Sequence, residues 1–424
     1  MRLAQRMGYH DESHNARCTP FEAEMRRRLW WSLVVFDNRV CEVLNYRMAT
    51  LAPTWTCRTP LNLNDFELLP DAKTLPPVHD TPTEALFVVV RGELGDFVRH
   101  SPHYLDFIDP LLTTFAQAKL AATGKSFPVR SLLELQDRVE SQTLSQCDPQ
   151  NPLHYMTIWT TRSYLAKNLL LEHCSRQRHH QTQQHQHHAR DAGLTHALRM
   201  LACDTNLITS PLTPPYRWSV HTHFPALAYM YIVQYLRKRG HQQTASTTPA
   251  GQHAAMDEEE EDAAWEALSA NYAAHHHPRS GDVGGGDYGQ SPFYMLFSRI
   301  VLQAWEGGRG RREGEGSLEV PGIVVGIRRE MAKRVEVKDG GGGGVGGSAE
   351  EMQRAVVDDG MFGLGMGGVS GGIGVGVQGF ATAVPIPPGN GYSDGLAGGS
   401  GMEFMDLDQL WPTIDWGLTQ KRLW

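Results

Sequence analysis

The chain has 424 residues, a formal net charge of -8 and 41% hydrophobic residues, enough for a sizeable core and unsuited to unaided, non-specific binding to nucleic acid. Its six cysteines include no C-x-x-C pair, which argues against a disulfide-stapled secreted scaffold and against a closed cysteine zinc site. The N-terminus lacks a secretory h-region, and the longest apolar run, residues 224–236, is too short to span a bilayer. We therefore expect a reduced, intracellular, soluble protein.

The clearest local signal is a helix that begins near Thr19. Thr19 suits the N-cap, Pro20 suits the first helical position, and Glu22 completes a capping box. Upstream, residues 3–7 predict a short helix that Gly8 ends. Apolar residues recur every three or four positions after Thr19, and this spacing predicts one buried helix face made of Phe21, Met25, Leu29, Leu33, Phe36, Val40 and Leu44.

Capping residues and helical spacing predict six further helices in chain order. No stretch alternates long enough to predict a sheet, so the predicted fold class is all-α, a multi-helix domain. The predicted helices are one from Asp109-Pro110 to about Gly124, one capped by Ser131 with Leu135 and Val139, one carrying Met156, Trp159, Ala166 and Leu170, one carrying Leu194, Leu198, Leu201 and Ile208, one from Phe224 to a stop at Gly240, and one opened by Ser291-Pro292 with Phe293, Phe297, Ile300 and Ala304.

Composition divides the chain into a helical domain, residues 1–305, followed by a linker and a tail. Within the domain, residues 176–190 and 240–290 are rich in Gln, His and acidic residues and predict solvated, disordered insertions. Residues 306–401 predict a largely disordered glycine-rich linker, because no core offsets the backbone entropy of so many glycines. Residues 402–424 differ in composition from the linker and predict an acidic-hydrophobic tail.

Three short strings resemble phosphate-binding motifs. Two G-x-G-x-x-G matches, at residues 363–368 and 374–379, lie in the glycine-rich segment without a preceding strand or a following helix. Residues 123–126 resemble the end of a P-loop, but position 119 is Lys119 where the loop needs a glycine. We therefore predict no nucleotide site.

Histidines and reactive side chains give no catalytic or metal motif. Two histidine clusters, at residues 179–188 and 275–277, lie in low-complexity sequence without a carboxylate or cysteine framework. His221 and His223 flank a predicted helix start and suit partly buried polar positions. No nucleophile elbow or H-E-x-x-H string occurs, and Cys41 and Cys203 fall on predicted helices, where a free cysteine usually packs as a small hydrophobe. The sequence predicts neither an enzyme nor a cofactor in this chain.

The triplet Arg26-Arg27-Arg28 admits two interpretations. It could be a nuclear-import or DNA-contact patch. However, Glu22 and Glu24 precede Arg26 and Arg28 by four residues, the favourable order for ion pairs on a helix surface. We therefore favour solvated or paired arginines.

The tail interleaves acids with large apolar residues. In such segments the acids keep apolar side chains solvated and available to a partner groove. Phe404, Leu407 and Trp411 could line one face of a short helix that Pro412 ends. Docking of the tail onto the protein's own core is the competing interpretation. The candidate activation residues are Phe404, Asp406, Leu407, Asp408, Leu410, Trp411, Ile414, Asp415 and Trp416.

A combination of motifs occupies the first hundred residues. It consists of Met7-Gly8-Tyr9-His10, the run Phe21-Glu22-Ala23-Glu24-Met25-Arg26-Arg27-Arg28-Leu29-Trp30-Trp31, Asp37 with Arg39, Pro60-Leu61-Asn62-Leu63-Asn64-Asp65, and Thr83-Glu84 before an apolar run to Arg91. This combination resembles the fungal-specific transcription factor domain, the regulatory or middle homology region of fungal zinc-cluster transcription factors. The resemblance implies an all-helical regulatory domain, a nuclear location and control of RNA polymerase II genes.

The chain departs from that family in two respects. Such proteins normally carry an N-terminal six-cysteine zinc cluster, whereas this sequence begins inside the regulatory region and its cysteine spacing leaves no place for the cluster. Zinc is therefore expected only in a missing N-terminal cluster, and DNA contact only through that cluster or a partner's. The first helices of the family domain are also missing, so we expect exposed apolar surface that favours aggregation or pairing with a partner, for example as a homodimer.

These observations predict the regulatory and activation portion of a zinc-cluster transcription regulator. Its expected partners are coactivators or proteins of the transcription machinery. No membrane association is expected. A DNA-free regulator that titrates partners or coactivators is the first alternative. A helical ligand-binding protein or enzyme is the second.

Overall fold

The computed structural model describes residues 1–43, 51, 55–99, 131–180, 191–221, 223–245, 252–276, 292–308 and 319–339. No strand occurs in these ranges, and the all-α prediction is confirmed. No helix in the described ranges is long and apolar enough to cross a membrane. The helices are α1 (Arg2–Arg6), α2 (Glu12–Asn15), α3 (Pro20–Val43), α4 (Leu86–Arg99), α5 (Leu132–Gln142), α6 (Pro152–His180), α7 (Ala192–Thr209), α8 (Arg217–His221), α9 (Ala226–Ala245), α10 (Gln252–His276), α11 (Pro292–Gly307) and α12 (Gly322–Asp339).

Local capping places several helix starts where the sequence predicts them. The Thr19 hydroxyl accepts a hydrogen bond from the Glu22 amide at 3.2 Å, and the Ser131 hydroxyl accepts one from the Glu134 amide at 3.2 Å. These bonds satisfy amides that a helix start leaves without an intrahelical partner. Gly8, at φ 76°, follows α1 and adopts the left-handed conformation that suits glycine.

Residues Met1–Ala332 belong to one compact unit, and a second unit begins at Lys333, described here only as the end of α12. In the first unit α3 packs on α4, and α4 packs on α6. The centre of the remaining helices is α7, which packs against α6, α8, α9 and α10. The sequence pattern does not predict the helix α4, because it contains Gly92 and Gly95, and glycine is unfavourable inside a helix. Both glycines face Trp31, so they allow close approach between helices.

The buried face of α3 differs from the predicted one. Met25, Leu29 and Phe36 are 44%, 46% and 56% exposed, so the prediction from apolar spacing is wrong for these residues. Phe21, Leu33 and Val40 are half-buried, and Leu44 lies outside the described residues. The charged residues of the opposite face have partners on α2, α4 and the segment 55–67, which offsets the cost of their burial. The buried residues of α3 are Ala23, Glu24, Arg27, Trp30, Trp31, Val34, Asp37 and Asn38.

The prediction of a solvated insertion at residues 240–290 is wrong for α10. The acidic run at residues 257–262 concealed a helical stripe that buries Ala264, Trp265, Leu268, Asn271 and Tyr272. Residues 176–180 of the other predicted insertion complete α6, and residues 181–190 lie outside the described residues.

Two glycine-based predictions also fail. Gly240 does not end α9, which continues to Ala245. A Cβ atom at Gly240 would lie 2.9 Å from the Gly308 Cα, so this glycine permits close helix approach and is not a C-terminal stop. The predicted linker 306–401 contains α12, whose Ile323, Val324 and Ile327 are fully buried. Residues 340–401, and the helix predicted from Asp109 to Gly124, lie outside the described residues.

Candidate functional site: an ion-pair core and a central cavity

Two of the motif arginines make the ion pairs that the sequence predicts. The Arg26 Nη2 atom donates to the Glu22 Oε1 atom at 2.6 Å, and the Arg28 Nε atom donates to the Glu24 Oε1 atom at 3.4 Å. Arg28 also donates to the Asp65 carboxylate at 2.6 Å. The predicted i,i+4 pairs are confirmed, and the second one extends to the segment that follows α3.

The third arginine joins α2 to α3. Arg27 donates to both carboxylate oxygens of Glu12 and lies 3.5 Å from the Glu24 carboxylate. The Arg58 amide donates to Glu12 at 3.0 Å. Burial opposes ionisation of Glu12, but hydrogen bonds from Arg27 and the Arg58 amide, together with the charges of both arginines, lower its pKa below the ordinary value.

Glu24 is the buried carboxylate at the centre of this network. Its Oε1 atom accepts a hydrogen bond from the Leu61 amide at 3.0 Å. Burial raises the pKa of Glu24, although the Leu61 amide and the charges of Arg28 and Arg27 oppose that shift. Glu24 therefore fixes the segment after α3 with a backbone bond as well as with ion pairs.

The Pro60–Asp65 motif is held by its own side-chain bonds. The Asn62 amide group donates to the carbonyls of His79 and Thr81, each at 2.8 Å, and its Oδ1 atom accepts from the Thr83 hydroxyl at 2.6 Å. The Asp65 amide donates to the Glu84 carboxylate at 2.9 Å. These bonds tie the loop to the start of α4. They link the Thr83-Glu84 positions of the motif to its Asn62 and Asp65 positions.

An aromatic cluster packs beside these ion pairs. Trp30 and Trp31 are each 1% exposed, and each makes an edge contact with Trp55, at centroid distances of 5.9 and 6.0 Å. The Trp31 indole donates to the Arg58 carbonyl at 2.7 Å. The two motif tryptophans therefore supply core volume and one loop anchor.

Asp37 forms the most deeply buried ion pair among the described residues. Its carboxylate accepts from Arg99 and from the Leu51 amide, and both partners of the ion pair are fully buried. Arg99 also donates to the Asn38 side chain and to the Leu51 carbonyl. The guanidinium is thus satisfied on three sides, and it connects α4 to α3.

A cavity lies among α3, α4, α6, α7, α8 and the segment between α8 and α9. Its volume is about 70 Å³, and it is partly open to solvent. Its apolar lining includes Val35, Leu94, Met156, Leu207 and Phe224. Local sequence patterns do not reveal this cavity, because its lining residues come from five helices and from the segment between α8 and α9.

The charged lining of the cavity is mainly cationic. Arg39, Arg91 and Lys167 all line it, as do Asp204 and His223. Arg39 and Lys167 have interactions of their own, and the Lys167 ammonium lies 4.4 Å from the centroid of the Tyr164 ring. His223 contacts the Ser219 carbonyl through its Nδ1 atom at 2.9 Å and is partly buried, as predicted.

Asp204 is held by neighbouring side chains behind the cavity wall. Its Oδ2 atom accepts from the Asn271 amide group at 2.8 Å and lies 2.7 Å from the His275 Nε2 atom. The Tyr229 hydroxyl donates to the Asn271 Oδ1 atom at 2.7 Å. This network joins α7, α9 and α10, so the one carboxylate that lines the cavity is committed to helix packing.

Metal ligation has no support in the described part of the chain, where no group of three or more His, Cys, Asp or Glu side chains is arranged to hold an ion. His275 contacts Asp204, and His276 stacks on Tyr272 at 3.9 Å between ring centroids. Burial raises the pKa of the Cys203 thiol to about 11, which disfavours the reactive thiolate. The absence of a cofactor stays a prediction.

The candidate activation residues, 404–416, lie outside the described residues, as do the three phosphate-motif strings and the histidines at positions 185, 187 and 188. Their roles stay predictions. The structure therefore brings together the motif residues of α3 with those of the segment 60–65, and it adds the cavity.

Comparison with known proteins gives consistent matches. Residues 1–76 match the family described as the fungal specific transcription factor domain. The transcriptional regulator AacuB of Aspergillus aculeatus is 46% identical over 339 residues, which cover 78% of this chain and 42% of that protein. The transcriptional regulator nsrM of Aspergillus novofumigatus is 39% identical over 427 residues, which cover 100% of this chain and 54% of that protein.

A more distant relative is the aurofusarin cluster transcription factor aurR2 of Gibberella zeae, which is 28% identical over 310 residues, covering 72% of this chain and 41% of that protein. The chain spans about half the length of the curated relatives it matches. No solved structure matches it.

Proposed function

We propose that this chain, whose residues 1–76 belong to the fungal specific transcription factor domain, is the regulatory and activation portion of a transcription regulator. The observation that carries the proposal is its similarity along most or all of its length to proteins named as transcriptional regulators. The proposed setting is the nucleus, and the proposed targets are RNA polymerase II genes of one biosynthetic cluster, as the name of the aurofusarin relative suggests for that protein.

The contacts of the motif support a division of labour. Arg26, Arg27 and Arg28 are each engaged by carboxylates, so their charges serve helix and loop packing. We therefore assign DNA reading to a zinc-cluster domain outside these residues, on the same polypeptide or on a partner. Zinc belongs to that domain in the proposal, and this chain contributes control and activation.

Activation is assigned to the tail at residues 402–424. Its acids would keep Phe404, Leu407 and Trp411 available in water, and those side chains would enter an apolar groove of a coactivator as a short helix. The glycine-rich segment before the tail gives it reach. The proposed role of the helical domain is to restrain or present the tail.

A reporter assay tests this function. The full chain, fused to an independent DNA-binding domain, should activate a reporter that carries the matching operator. Replacing Phe404, Leu407, Trp411 and Trp416 with alanine should remove most of that activity. A matched control replaces Phe362 and Phe380, two aromatic residues of the glycine-rich segment, and should leave activity unchanged.

Failure of the fusion to activate would count against the proposal. If the chain instead lowered the activity of a separate full-length regulator and co-purified with it, the titration function would replace activation.

A further inference from the structure

The cavity contains a cation for which the described residues provide no counter-ion. Arg91 is partly exposed, and among the described residues its guanidinium makes no hydrogen bond or ion pair. Its recorded neighbours are the Phe87 ring, 5.1 Å from the guanidinium carbon, and Tyr164. Burial lowers the pKa of Arg91, because part of the guanidinium is removed from water.

Other arginines in similar surroundings are treated differently. Arg27, Arg99, Arg138 and Arg162 all reach at least one carboxylate. An arginine keeps its charge at physiological pH, so desolvation without a counter-ion costs free energy that these four offset by pairing. Arg91 has no such partner among the described residues and would gain this compensation from a bound anion.

The other residues that line the cavity indicate the charged group and the body of the anion that would fit. Arg39 and Lys167 add positive charge to the cavity, whereas the Asp204 carboxylate is held by Asn271 and His275. A guanidinium binds carboxylates well because two parallel N–H groups match the two carboxylate oxygens. The remaining lining combines hydroxyl groups with a larger apolar surface, which favours an apolar body next to the charged group.

Size gives a further restriction. The cavity volume of about 70 Å³ accommodates a carboxylate and a few attached carbons, since one water needs about 10–15 Å³ by the same measure. The rest of a larger molecule would lie in the space that opens to solvent. This shape suits a monocarboxylate with its charged end inserted.

We propose that this cavity is a binding site for a small organic carboxylate, with Arg91 as its principal counter-charge and the apolar side chains of α3, α4, α6 and α7 around its hydrocarbon part. The ligand would contact α4 and α7 at once, and α7 packs against α9 and α10. Occupancy would therefore stabilise the helical unit. The proposal concerns binding alone, and it stands whether or not the chain regulates transcription.

Thermal unfolding and calorimetry of the full chain test the site. The probes are octanoate, benzoate and 1-naphthoate, and each is paired with its primary amide as an uncharged isostere. At least one carboxylate should raise the melting temperature in a dose-dependent manner, and its amide should not. The variant Arg91→Met should bind that carboxylate at least about tenfold more weakly.

The ligand-free melting temperature distinguishes a binding role from a structural one. Arg91→Met removes a partly desolvated charge that has no counter-ion among the described residues while keeping much of the side-chain volume, so the ligand-free protein should melt at the same temperature or higher. Arg138 on α5 pairs with Glu93 on α4 and provides a matched control. Arg138→Met should keep carboxylate binding and should melt no higher than the unaltered protein.

Three results would overturn the proposal. They are equal binding of every carboxylate and its amide, unchanged binding by Arg91→Met, and a lower ligand-free melting temperature for Arg91→Met than for Arg138→Met. The last result would make Arg91 a structural residue.

Discussion

The ion-pair core of α3 and the central cavity place arginine side chains in opposite electrostatic environments. In the core, Arg27 and Arg99 are buried and each is met by carboxylates. In the cavity, Arg91 is desolvated without a carboxylate among the described residues. Pairing makes a buried guanidinium part of the framework, whereas an unpaired one marks a place where an external anion would improve the electrostatics.

Removing the carboxylate partner of Arg99 tests how much free energy of unfolding the buried ion pair contributes. Asp37→Ala would leave Arg99 fully buried with only neutral partners, a state resembling that of Arg91. The free energy of unfolding should fall by about 3–5 kcal/mol, because removing one partner of a buried ion pair leaves an uncompensated charge. Urea titration followed by tryptophan fluorescence measures this loss.

A double variant is the control for that experiment. Asp37→Ala combined with Arg99→Met removes both charges, so it should recover part of the stability lost in Asp37→Ala. If the double variant were less stable than Asp37→Ala by the full cost of a second core change, the pairing explanation would be wrong.

An intermediate and pH-dependent loss of stability is expected when the Glu12 carboxylate is neutralised. Glu12→Gln removes the charge that binds Arg27 and should cost about 1–3 kcal/mol at neutral pH. The pKa of Glu12 in the folded protein lies below its ordinary value of 4.5, so the folded state binds fewer protons than the unfolded state between those two values. The stability from its ionised form is therefore present above about pH 4.5 and is lost as pH falls through the folded pKa.

Urea titrations of the unaltered chain and Glu12→Gln at several pH values measure that dependence. The difference between the two proteins should be largest near neutral pH and should narrow below about pH 4.5. A difference that stayed constant down to pH 3 would show that Glu12 contributes through shape and not through charge.

The smallest effect is expected for the exposed pair on α3. The Glu22 side chain is half exposed, and water and salt screen its attraction to Arg26. Glu22→Ala should change the free energy of unfolding by no more than about 0.5 kcal/mol. A loss as large as that of Glu12→Gln would remove the distinction between surface and core pairs in the Arg26–Arg28 triplet.

Local chemistry allowed much of the secondary structure to be predicted. Thr19 and Ser131 cap helices within a few residues of their own positions, so sequence alone places those helix starts. The pairs Glu22–Arg26 and Glu24–Arg28 are also local, since residues four apart are neighbours on any helix. The motif that marks the family lies in the same stretch of chain, which explains why it could be recognised without a structure.

Tertiary packing decided what hydropathy could not. The exposed Met25 and Leu29 and the buried Glu24 and Arg27 reverse the pattern expected for α3, because carboxylates and amides distant in sequence meet the charged face. Similarly, Gly240 has the sequence context of a helix stop, but in the structure it allows Gly308 to approach closely.

The sequence by itself determined the all-α class, several helix starts, the short-range ion pairs and the family motif, since each depends on residues a few positions apart. Only the tertiary structure decided which face of α3 is buried, that α10 and α12 join the packed helices, and that Arg91 lies in a cavity lined by five helices and the segment between α8 and α9. These features depend on partners distant in the chain, and the free energy of burying a charge is set by those partners.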